Sequence, residues 1–473
     1  MLVGAELETP ARGRGAGPDS PLPYPTAAHA DLQQQAIRTY HDLLTDELGA
    51  ESQAQLDDQL RRRGLFFGDR PLCTVLRPRL LTADRYDFFQ ARSRVLLRAL
   101  AKVYLVAMED ARFRAQLSLS DWEEELIRHD PGFREPSPTS RLDAFFGDQG
   151  GLHLTEYNAE TPAGAAYTDE LTEVFLGLPV MREFLRRYEV RPLPARHGVL
   201  HALLDAYAQW CGRREAPRIA ILDWREVPTF SEFVLYGEYF QSQGLESVFA
   251  DPREVEYRGG QLIAGGMHVT LIYKRVLLTE LFAQGGLDHP VIRAVRDGAV
   301  CMVNPFRCKV LHKKASLAVL SDERNASLLD GEERAVVEAH VPWTRVVEER
   351  RTVYRSWEID LIPFMVERRE QLVLKPNDDY GGRGIVLGWE VTAEEWERAV
   401  TLALREPYIV QERIILPSEL YPSWVDGRVQ LAERMLDTAP FVSYGEYTEG
   451  CMTRLSTAPL LNVTAGGGST APT

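Results

Sequence analysis

Four polar residues lie on two short predicted strands, and three of them are spaced so that their oxygens could hold a hard metal ion. The strands read SRLDAFF and LHLTEYN, and the Gly-rich turn GDQGG joins them. Side chains two apart share a face of a strand, and one antiparallel register sets Asp143 opposite Glu156 and Arg141 opposite Asn158. Cross-strand neighbours lie about 5 Å apart, near enough for two carboxylates and an amide oxygen to share a cation. Oxygen-only ligands favour Mg²⁺ over zinc.

The same register predicts that the centre of the hairpin lies between Gln149 and Gly150. An alternative interpretation of the two strands is a solvated sheet face with a surface ion pair, since exposed ion pairs are common and weak. The two interpretations differ in whether the four polar side chains lie in bulk solvent.

A lysine followed by a glycine-rich loop predicts a second functional segment. The strand LVLK ends at Lys375, and the loop after it contains Gly381, Gly382 and Gly384. Glycine lets backbone N–H groups approach a polyanion, and an ammonium group at a strand end supplies a positioned charge. The segment is not a P-loop, because GxxxxGK[ST] is absent. The alternative is an ordinary hairpin turn, where glycine is also common.

Two further segments carry weaker signals. In YIVQERI an apolar strand presents Gln411 and Glu412, which could hydrogen-bond an adenine edge, although edge strands often carry such residues. In RCKVLHKKASLAVL the side chains of Lys309, Lys313 and Lys314 lie beside an apolar helical stripe. A basic helix face of this kind is most often simply solvated.

The elements that must position these residues are both helical and extended. Period-3.6 patterns predict mainly helix over the first ~130 residues, with one helix from Asp31 and a longer one over Asp84–Asp110. From Arg218 the strand RIAIL, a helix opened by a capping box at Thr229, and a strand near Val248 form a β-α-β unit. This unit implies a parallel sheet.

The first strand of this unit ends in Asp223, Trp224, Arg225 and Glu226, at the edge where a parallel sheet presents ligands. A helix that begins with a capping box at Thr392 lies between the glycine-rich loop after Lys375 and the strand YIVQERI. The chain is thus predicted to be an α/β (α+β) protein. We predict a disordered tail at 1–27, a helical region at 28–135, the metal-ligand hairpin and following helices at 136–215, a substrate lobe at 216–300 and nucleotide-binding lobes at 301–473.

Composition and charge exclude several classes of protein. The 473 residues include 69 acidic and 54 basic ones, and the net charge of −15 argues against a nucleic-acid partner. No apolar run approaches the ~20 residues of a membrane-spanning helix, so no membrane is expected. Five dispersed cysteines without a CxxC motif, and an N-terminus without a secretory signal, predict a cytoplasmic protein.

Taken together, the segments resemble the circularly permuted ATP-grasp ligases, and most closely the glutathionylspermidine synthase group. The resemblance rests on RLD followed by TEYNAETP, on HKKASLAVL, on LVLKP with GGRG, and on RLS with Asn462 and GGG. In an unpermuted ATP-grasp protein the metal-ligand strands follow the lysine and glycine loop, whereas here they precede it by more than 200 residues. The N-terminal region has no match to the amidase domain of bifunctional members, so only the synthetase part is expected.

The resemblance also implies a role for each residue. It matches Asp143, Glu156 and Asn158 to Mg²⁺ ligands, and Arg141 and Arg454 to arginines beside the transferred phosphoryl group. It matches Lys314 and Lys375 to nucleotide-phosphate lysines, Gly381, Gly382 and Gly384 to a closing loop, and Gln411, Glu412 and Ile414 to an adenine hinge. Lys313 stands where the family usually has asparagine, so Lys313 and Lys314 could exchange roles. Residues 216–300 resemble the pre-ATP-grasp lobe.

These roles imply an ATP- and Mg²⁺-dependent carboxylate–amine ligase. Carboxylate attack on the γ-phosphorus would give an acyl phosphate and ADP, and an amine would then displace phosphate. The nearest family implies a peptide carboxylate and a polyamine, although no residue after Pro217 identifies either. Two alternatives are a kinase-like phosphotransferase on the same scaffold and a nucleotide-binding protein without turnover. The sequence makes no prediction of oligomeric state.

Overall fold

The computed structural model describes residues 2–4, 27–147, 151–213, 215–379, 381–457 and 468–473. Helices and strands are mixed along the chain, which confirms the predicted α/β class. Within the described residues, no helix combines the length and the apolar character needed to cross a lipid bilayer. The five predicted domain boundaries stay predictions.

The N-terminal region is mainly helical, as the periodicity predicts. Its helices α1 to α5 span Ala27–Leu43, Asp46–Arg62, Ala83–Glu109, Ala111–Arg114 and Asp121–Leu126. The predicted single helix from Asp31 is instead two, because Thr45 caps α2 and its hydroxyl accepts a hydrogen bond from the Leu48 N–H at 3.3 Å.

The predicted tail begins with a short strand. Strand β1 (Leu2–Gly4) pairs with β4 (Leu81–Thr82) and with β7 (Glu189–Arg191). Residues 5–26 lie outside the described part of the chain. Two other short strands, β2 (Phe66–Phe67) and β3 (Arg70–Pro71), pair with each other.

Seven strands form the sheet that carries the predicted metal ligands, here named the hairpin sheet. Its strands β5, β6 and β21 to β25 span Thr139–Phe146, Leu152–Asn158, Ser418–Val425, Arg428–Leu436, Ala439–Ser443, Tyr447–Ser456 and Ser469–Pro472. The order is β21-β22-β24-β23-β5-β6, and β25 pairs with β24. Because C-terminal strands adjoin β5, residues some 300 positions apart meet on this sheet.

Four parallel strands form a second sheet, here named the parallel sheet. They are β8, β9, β13 and β14, spanning Arg218–Leu222, Glu246–Ala250, Leu271–Lys274 and Cys301–Val303. The order β14-β13-β8-β9 confirms the β-α-β unit, with α9 (Phe230–Ser242) as its helix. The capping box at Thr229 is wrong, because the Glu232 carboxylate does not cap α9 and instead accepts a hydrogen bond from the Gly164 N–H at 2.8 Å.

Four further strands form the sheet that carries Lys375, here named the lysine sheet. Strands β15, β18, β19 and β20 span Thr344–Val346, Leu372–Pro376, Val386–Leu387 and Tyr408–Glu412, in the order β15-β20-β18-β19. The predicted helix between its strands is α16 (Ala393–Ala403), and the capping box at Thr392 is confirmed.

The remaining elements connect and cover these sheets. Helices α6 to α8 and α10 to α15 span Ala165–Gly177, Pro179–Phe184, Arg196–Cys211, Leu278–Gly285, Pro290–Arg296, Lys309–His312, Ala315–Ser321, Gly331–His340 and Leu361–Glu367. Strands β10 to β12, β16 and β17 span Glu256–Arg258, Gln261–Ala264, Met267–Val269, Arg351–Tyr354 and Trp357–Asp360.

Helix α3 joins two parts of the candidate site through the core. Its Phe88 and Phe89 rings stack on Phe146 of β5, with centroid distances of 6.2 and 5.6 Å. The same apolar cluster includes Leu317 and Val319 of α13, just after the predicted lysines. Burial of these side chains therefore fixes the metal-ligand strand relative to the lysine segment.

Candidate active site

One cavity brings most of the predicted site residues together. Its volume is about 470 Å³, and residues of the hairpin sheet, the lysine sheet and the carboxyl edge of the parallel sheet line it. Eleven of the thirteen predicted residues are among the lining: Arg141, Asp143, Glu156, Asn158, Lys375, Gly381, Gly382, Gln411, Glu412, Ile414 and Arg454. Lys314 and Gly384 lie next to the lining but not in it. Asn462 lies outside the described residues.

The predicted hairpin register is confirmed at the metal-ligand positions. Asp143 faces Glu156, and Arg141 faces Asn158. Beyond Asp143 the pairing shifts by one residue, because Thr155 forms a β-bulge. The centre predicted between Gln149 and Gly150 is therefore wrong for the rest of the hairpin.

Asp143 lies buried between two arginines. Its carboxylate accepts hydrogen bonds from Arg141 Nε at 2.7 Å and Nη2 at 3.1 Å, and from Arg454 Nη2 at 2.6 Å. Although burial raises it, the charges of Arg141 and Arg454 hold the pKa of Asp143 well below its usual range. A solvated sheet face is therefore wrong as an interpretation. Three N–H donors use three of the roughly four acceptor positions of this carboxylate and leave one for a cation.

Arg454 is itself held in place by an aspartate that the sequence did not indicate. The Asp437 carboxylate accepts from Arg454 Nε at 2.6 Å and from the Arg454 backbone N–H at 2.6 Å. Burial raises the pKa of Asp437, against the lowering effect of Arg454. Asp437 lies between β22 and β23 in the run LDTAP, which has no recognisable motif, and it meets Arg454 because both strands pair with β24.

Glu156 and Asn158 complete the oxygen donors of the hairpin. Glu156 Oε1 lies 2.9 Å from Lys314 Nζ. Although burial raises it, the ammonium groups of Lys314 and Lys375 lower the pKa of Glu156. The Asn158 Nδ2 is buried and has no hydrogen-bond partner within the described part of the chain. The amide nitrogen is a hydrogen-bond donor and cannot ligate a cation, so the Mg²⁺ ligands would be oxygens of Asp143, Glu156 and Asn158, the donor type that Mg²⁺ prefers.

The choice between Lys313 and Lys314 follows from their contacts. Lys314 Nζ reaches Glu156 and donates to the Asp379 carbonyl at 2.6 Å. Lys313 Nζ instead contacts the buried Glu123 at 2.8 Å and Asp378 at 2.7 Å. Lys314 is thus the lysine that faces the hairpin, and Lys313 belongs to a buried charge network.

That buried network anchors the start of the glycine loop. Asp378 accepts from Lys309 Nζ at 2.7 Å as well as from Lys313, and Lys309 also contacts Glu160 at 3.1 Å. Although burial raises it, Lys309 and Lys313 hold the pKa of Asp378 well below its usual range. Oxygen and nitrogen atoms of Glu160, His312 and Asp378 lie within 4.8 Å of one another, but lysine ammonium groups already neutralise these carboxylates.

The glycine loop requires its glycines. Gly381, Gly382 and Gly384 have φ values of 66°, 78° and 67°, in the left-handed region that other residues rarely adopt. A Cβ atom at Gly384 would lie 2.6 Å from the Cγ of Pro376. The loop therefore bends over the end of β18, while Tyr380 lies outside the described residues.

Lys375 and Gln411 face each other across two strands of the lysine sheet. Lys375 Nζ donates to Gln411 Oε1 at 2.7 Å, and Gln411 Nε2 donates to Thr344 Oγ1 at 2.9 Å. Burial lowers the pKa of Lys375 to about 8, against the raising effect of Glu156. Both ends of the Gln411 amide have partners, so this side chain orients Lys375. Sequence reasoning missed Thr344, which becomes a neighbour only when β15 pairs with β20.

The predicted hinge residues lie at the same end of the cavity. Glu412 accepts a hydrogen bond from the Tyr354 hydroxyl at 2.6 Å and lies 3.2 Å from Arg355 Nη2. Ile414 follows β20 and contributes to the lining. An apolar residue beside polar groups suits a nucleotide base, but their hinge role stays a prediction.

The residues predicted at the end of β8 divide into two pairs. Asp223 and Trp224 line the cavity, whereas Arg225 and Glu226 are exposed and form ion pairs outside it.

The chain has only six lysines, and most of them lie at or near the candidate site. Lys102 on α3 has a side chain that is 38 % exposed. The buried lysines are Lys274, Lys309, Lys313 and Lys314, and Lys375 is half-buried.

A cavity enclosed by a strand lysine, a glycine loop and paired carboxylates is the arrangement of the ATP-grasp class. The chain belongs to the circularly permuted ATP-grasp type 2 family, whose model matches residues 92–456. This confirms the predicted permuted ATP-grasp fold, whereas the closer resemblance to the glutathionylspermidine synthase group stays a prediction.

Two relatives and one solved structure are similar over most of the chain. A protein of Frankia alni provisionally named glutamate–cysteine ligase 2-3 is 25% identical over 82% of this chain and 45% of its own. A protein of Frankia casuarinae provisionally named glutamate–cysteine ligase 2-2 is 26% identical over 90% of this chain and 50% of its own. This chain thus spans about half the length of these relatives. A glutathione synthetase-like effector of Globodera pallida, in apo form, has a TM-score of 0.53 at 12% identity and covers 90% of this chain and 95% of its own.

Proposed function

We propose that this protein is an ATP- and Mg²⁺-dependent carboxylate–amine ligase. The observation that supports the proposal is the convergence, in one cavity, of the buried Asp143 and half-buried Glu156 carboxylates with Arg141, Arg454 and Lys375. Such a set of charges suits phosphoryl transfer, where alignment and charge neutralisation supply most of the catalysis. Membership in the ATP-grasp family adds to this support.

The arginines are held so that their charge needs no reorganisation during the reaction. Arg141 donates to Asp143 and to the Ala163 carbonyl at 2.7 Å, and Arg454 is fixed by Asp143 and Asp437. In our proposal these guanidinium groups bind the γ-phosphoryl group while a substrate carboxylate attacks it. The products of this step are an acyl phosphate and ADP, and an amine then displaces phosphate.

The cationic side chains of the lysine sheet and α12–α13 would bind the nucleotide. Lys375 and Lys314 are positioned for its phosphates, with the loop from Gly381 to Gly384 above them. When bound, Mg²⁺ would neutralise phosphate charge, with Asp143, Glu156 and Asn158 as its ligands.

The names of the relatives agree with a carboxylate and an amine as substrates. Both Frankia proteins are named as glutamate–cysteine ligases, but each is about twice as long as the matched part. Their names therefore describe whole proteins, and we propose for this chain only the general reaction.

Trapping of the acyl phosphate tests the proposal. The protein is incubated with Mg·ATP, hydroxylamine and one acid at a time, from the twenty protein amino acids, succinate and glutathione. We expect acid-dependent release of ADP and phosphate together with a hydroxamate. Glu156→Gln should lose this activity, whereas Glu332→Gln, a control on the surface of α14 with a side chain 51 % exposed, should retain it.

Three outcomes would contradict the ligase proposal. Release of AMP and pyrophosphate would indicate adenylate chemistry. A stable phosphorylated product formed without an amine would indicate the kinase-like alternative. Calorimetric binding of Mg·ATP with no turnover across the acid panel would indicate a nucleotide-binding protein.

A further inference from the structure

The end of the cavity at the carboxyl edge of the parallel sheet carries an acidic and a basic side chain from neighbouring strands, with the Glu280 carboxylate close by. Asp223 directly follows β8, and Arg275 directly follows β13. These strands are parallel neighbours, and both side chains line the cavity. Neighbouring strands lie about 4.8 Å apart, so the two opposite charges start from adjacent backbone positions.

Arg275 is buried but only partly satisfied. Its Nη2 donates to Glu232 Oε2 at 2.9 Å, and its side chain is 3 % exposed. Its Nε and Nη1 have no hydrogen-bond partner among the residues that the structure describes. A buried donor without an acceptor costs about 1–3 kcal/mol, which a ligand oxygen in the cavity would offset. Arginine commonly binds carboxylates through such donors.

Glu232 is anchored independently of Arg275. Its Oε1 accepts from the Gly164 N–H at 2.8 Å and from the Ala166 N–H at 3.3 Å, at the start of α6. The positive end of this helix stabilises the Glu232 charge. The Glu232 charge is therefore shared between Arg275 and the start of α6. Part of the guanidinium charge of Arg275 stays available to a ligand.

The same segment connects this end of the cavity to the metal-ligand hairpin. Arg141 donates to the Ala163 carbonyl at 2.7 Å, and the next residue, Gly164, donates to Glu232. A single peptide group, between Ala163 and Gly164, thus links the arginine beside Asp143 to the Glu232–Arg275 pair. A ligand bound here lies at a fixed position relative to the phosphoryl-transfer centre.

Asp223 supplies a carboxylate suited to an ammonium group. It is buried, and its Oδ1 accepts the Trp224 backbone N–H at 2.8 Å. Burial raises the pKa of Asp223 to about 7, against the lowering effect of Arg275. Near neutral pH this carboxylate can therefore both bind a cation and accept a proton.

We propose that this end of the cavity binds the amine substrate and that this substrate is an α-amino acid, with its ammonium on Asp223 and its carboxylate on Arg275. The inference rests on the proposed ligase function and names its nucleophile. One carbon separates the two charged groups of an α-amino acid, which matches charges on adjacent strand ends. A polyamine would leave Nε and Nη1 of Arg275 without an acceptor and place a second cation beside this residue.

The reaction step that follows conserves atoms and charge. The ammonium transfers one proton to an Asp223 oxygen, and the neutral nitrogen attacks the acyl carbon. The new C–N bond forms as the bond from carbon to the phosphate oxygen breaks. Phosphate leaves with the electron pair and takes the second proton that the nitrogen loses. The carboxylate on Arg275 takes no part and remains free in the product.

Ligand-induced thermal shifts in the presence of Mg·ADP test this inference. We expect at least one of the twenty protein amino acids to raise the Tm of the wild type. The amide of that amino acid, the amine lacking its carboxylate, and spermidine should give no shift. Shifts from spermidine or from the plain amine but from no amino acid would overturn the inference, as would no shift from any ligand.

Two variants separate this site from other places where an amino acid could bind. Asp223→Asn and Arg275→Lys should each weaken the amino acid about tenfold or more in calorimetry. Arg275→Lys keeps a cation beside Glu232, and near-UV circular dichroism checks that the fold persists. The matched controls are Glu226→Gln and Arg225→Lys, which change exposed neighbouring residues. Unchanged affinity in folded Asp223→Asn or Arg275→Lys would overturn the assignment.

The hydroxylamine assay distinguishes this inference from the ligase proposal itself. Hydroxylamine needs no amino-acid site, so hydroxamate formation by the wild type reports the acyl phosphate alone. Hydroxamate formation without any amino-acid-induced shift would refute the inference and leave the ligase function standing. Absence of hydroxamate across the acid panel would instead refute the ligase function.

Discussion

Replacement of Lys375 by methionine is expected to weaken Mg·ADP binding by about 10- to 150-fold. Lys375 lines the cavity, and its Nζ donates to Gln411 Oε1 at 2.7 Å. Methionine keeps the apolar part of the side chain but removes the charge. A hydrogen bond to a charged group contributes about 1.5–3 kcal/mol, and this free energy sets the expected range.

The ionisation of Lys375 adds a dependence on pH. Burial lowers its pKa to about 8, so the ammonium form accounts for about nine-tenths of the protein at pH 7. The Mg·ADP affinity of the wild type should therefore fall as the pH rises through about 8. The Lys375→Met variant has no such group and should lack this fall.

Isothermal titration calorimetry with Mg·ADP on either side of this pKa measures both effects. The matched control is Lys102→Met on α3. Lys102 Nζ lies 2.5 Å from Glu333 Oε2, and neither residue lines the cavity. This control should bind Mg·ADP like the wild type. The reasoning is refuted if Lys375→Met retains the wild-type dissociation constant, or if its affinity falls with pH as the wild type does.

Three other perturbations test further parts of the site. Glu156→Gln removes a proposed Mg²⁺ ligand and should lower ADP release by at least about 100-fold while leaving the far-UV circular dichroism spectrum unchanged. Lys313→Met leaves the buried Glu123 without its 2.8 Å partner and should lower the free energy of unfolding in urea by about 3 kcal/mol, whereas Lys314→Met should chiefly reduce Mg·ADP affinity in calorimetry. Burial lowers the pKa of His312 to about 4, so between about pH 6.5 and 4 the unfolded chain binds a proton that the folded chain does not. The free energy of unfolding should therefore fall as the pH drops through this window. His312→Gln should reduce this fall by about 3 kcal/mol, measured in urea titrations across the pH range. An equal dependence of the free energy of unfolding on pH in both proteins would contradict this account.

Local sequence patterns predicted the parts of the fold that local physics controls. The spacing of polar residues in two short strands predicted the pairing of Asp143 with Glu156, because side chains alternate in every strand. The capping box at Thr392 was predicted for a similar reason, since its partners lie three residues apart. The same pattern at Thr229 failed because a distant segment competes for Glu232 at the Gly164 N–H, 68 positions earlier.

The parts of the site that sequence reasoning missed are made by long-range contacts. Asp437 orients Arg454, and Thr344 orients Gln411, but neither lies in a motif. The two free nitrogens of Arg275 are also invisible in the sequence, because they depend on where Glu232 is held. The hydrogen-bond partners of a residue must be known before one can decide whether it binds a ligand or only positions another residue.

The placement of the six lysines makes a lysine-specific protease a reporter of the folded state. All six lie in the described residues, and five are shielded from solvent or half-shielded. The sixth, Lys102, lies in the middle of α3, where the helical backbone does not fit the extended cleft of a protease. Native chain should resist this enzyme, so its cleavage rate measures opening of the structure. Unfolding would likewise expose the four buried lysines to an amine-reactive dye.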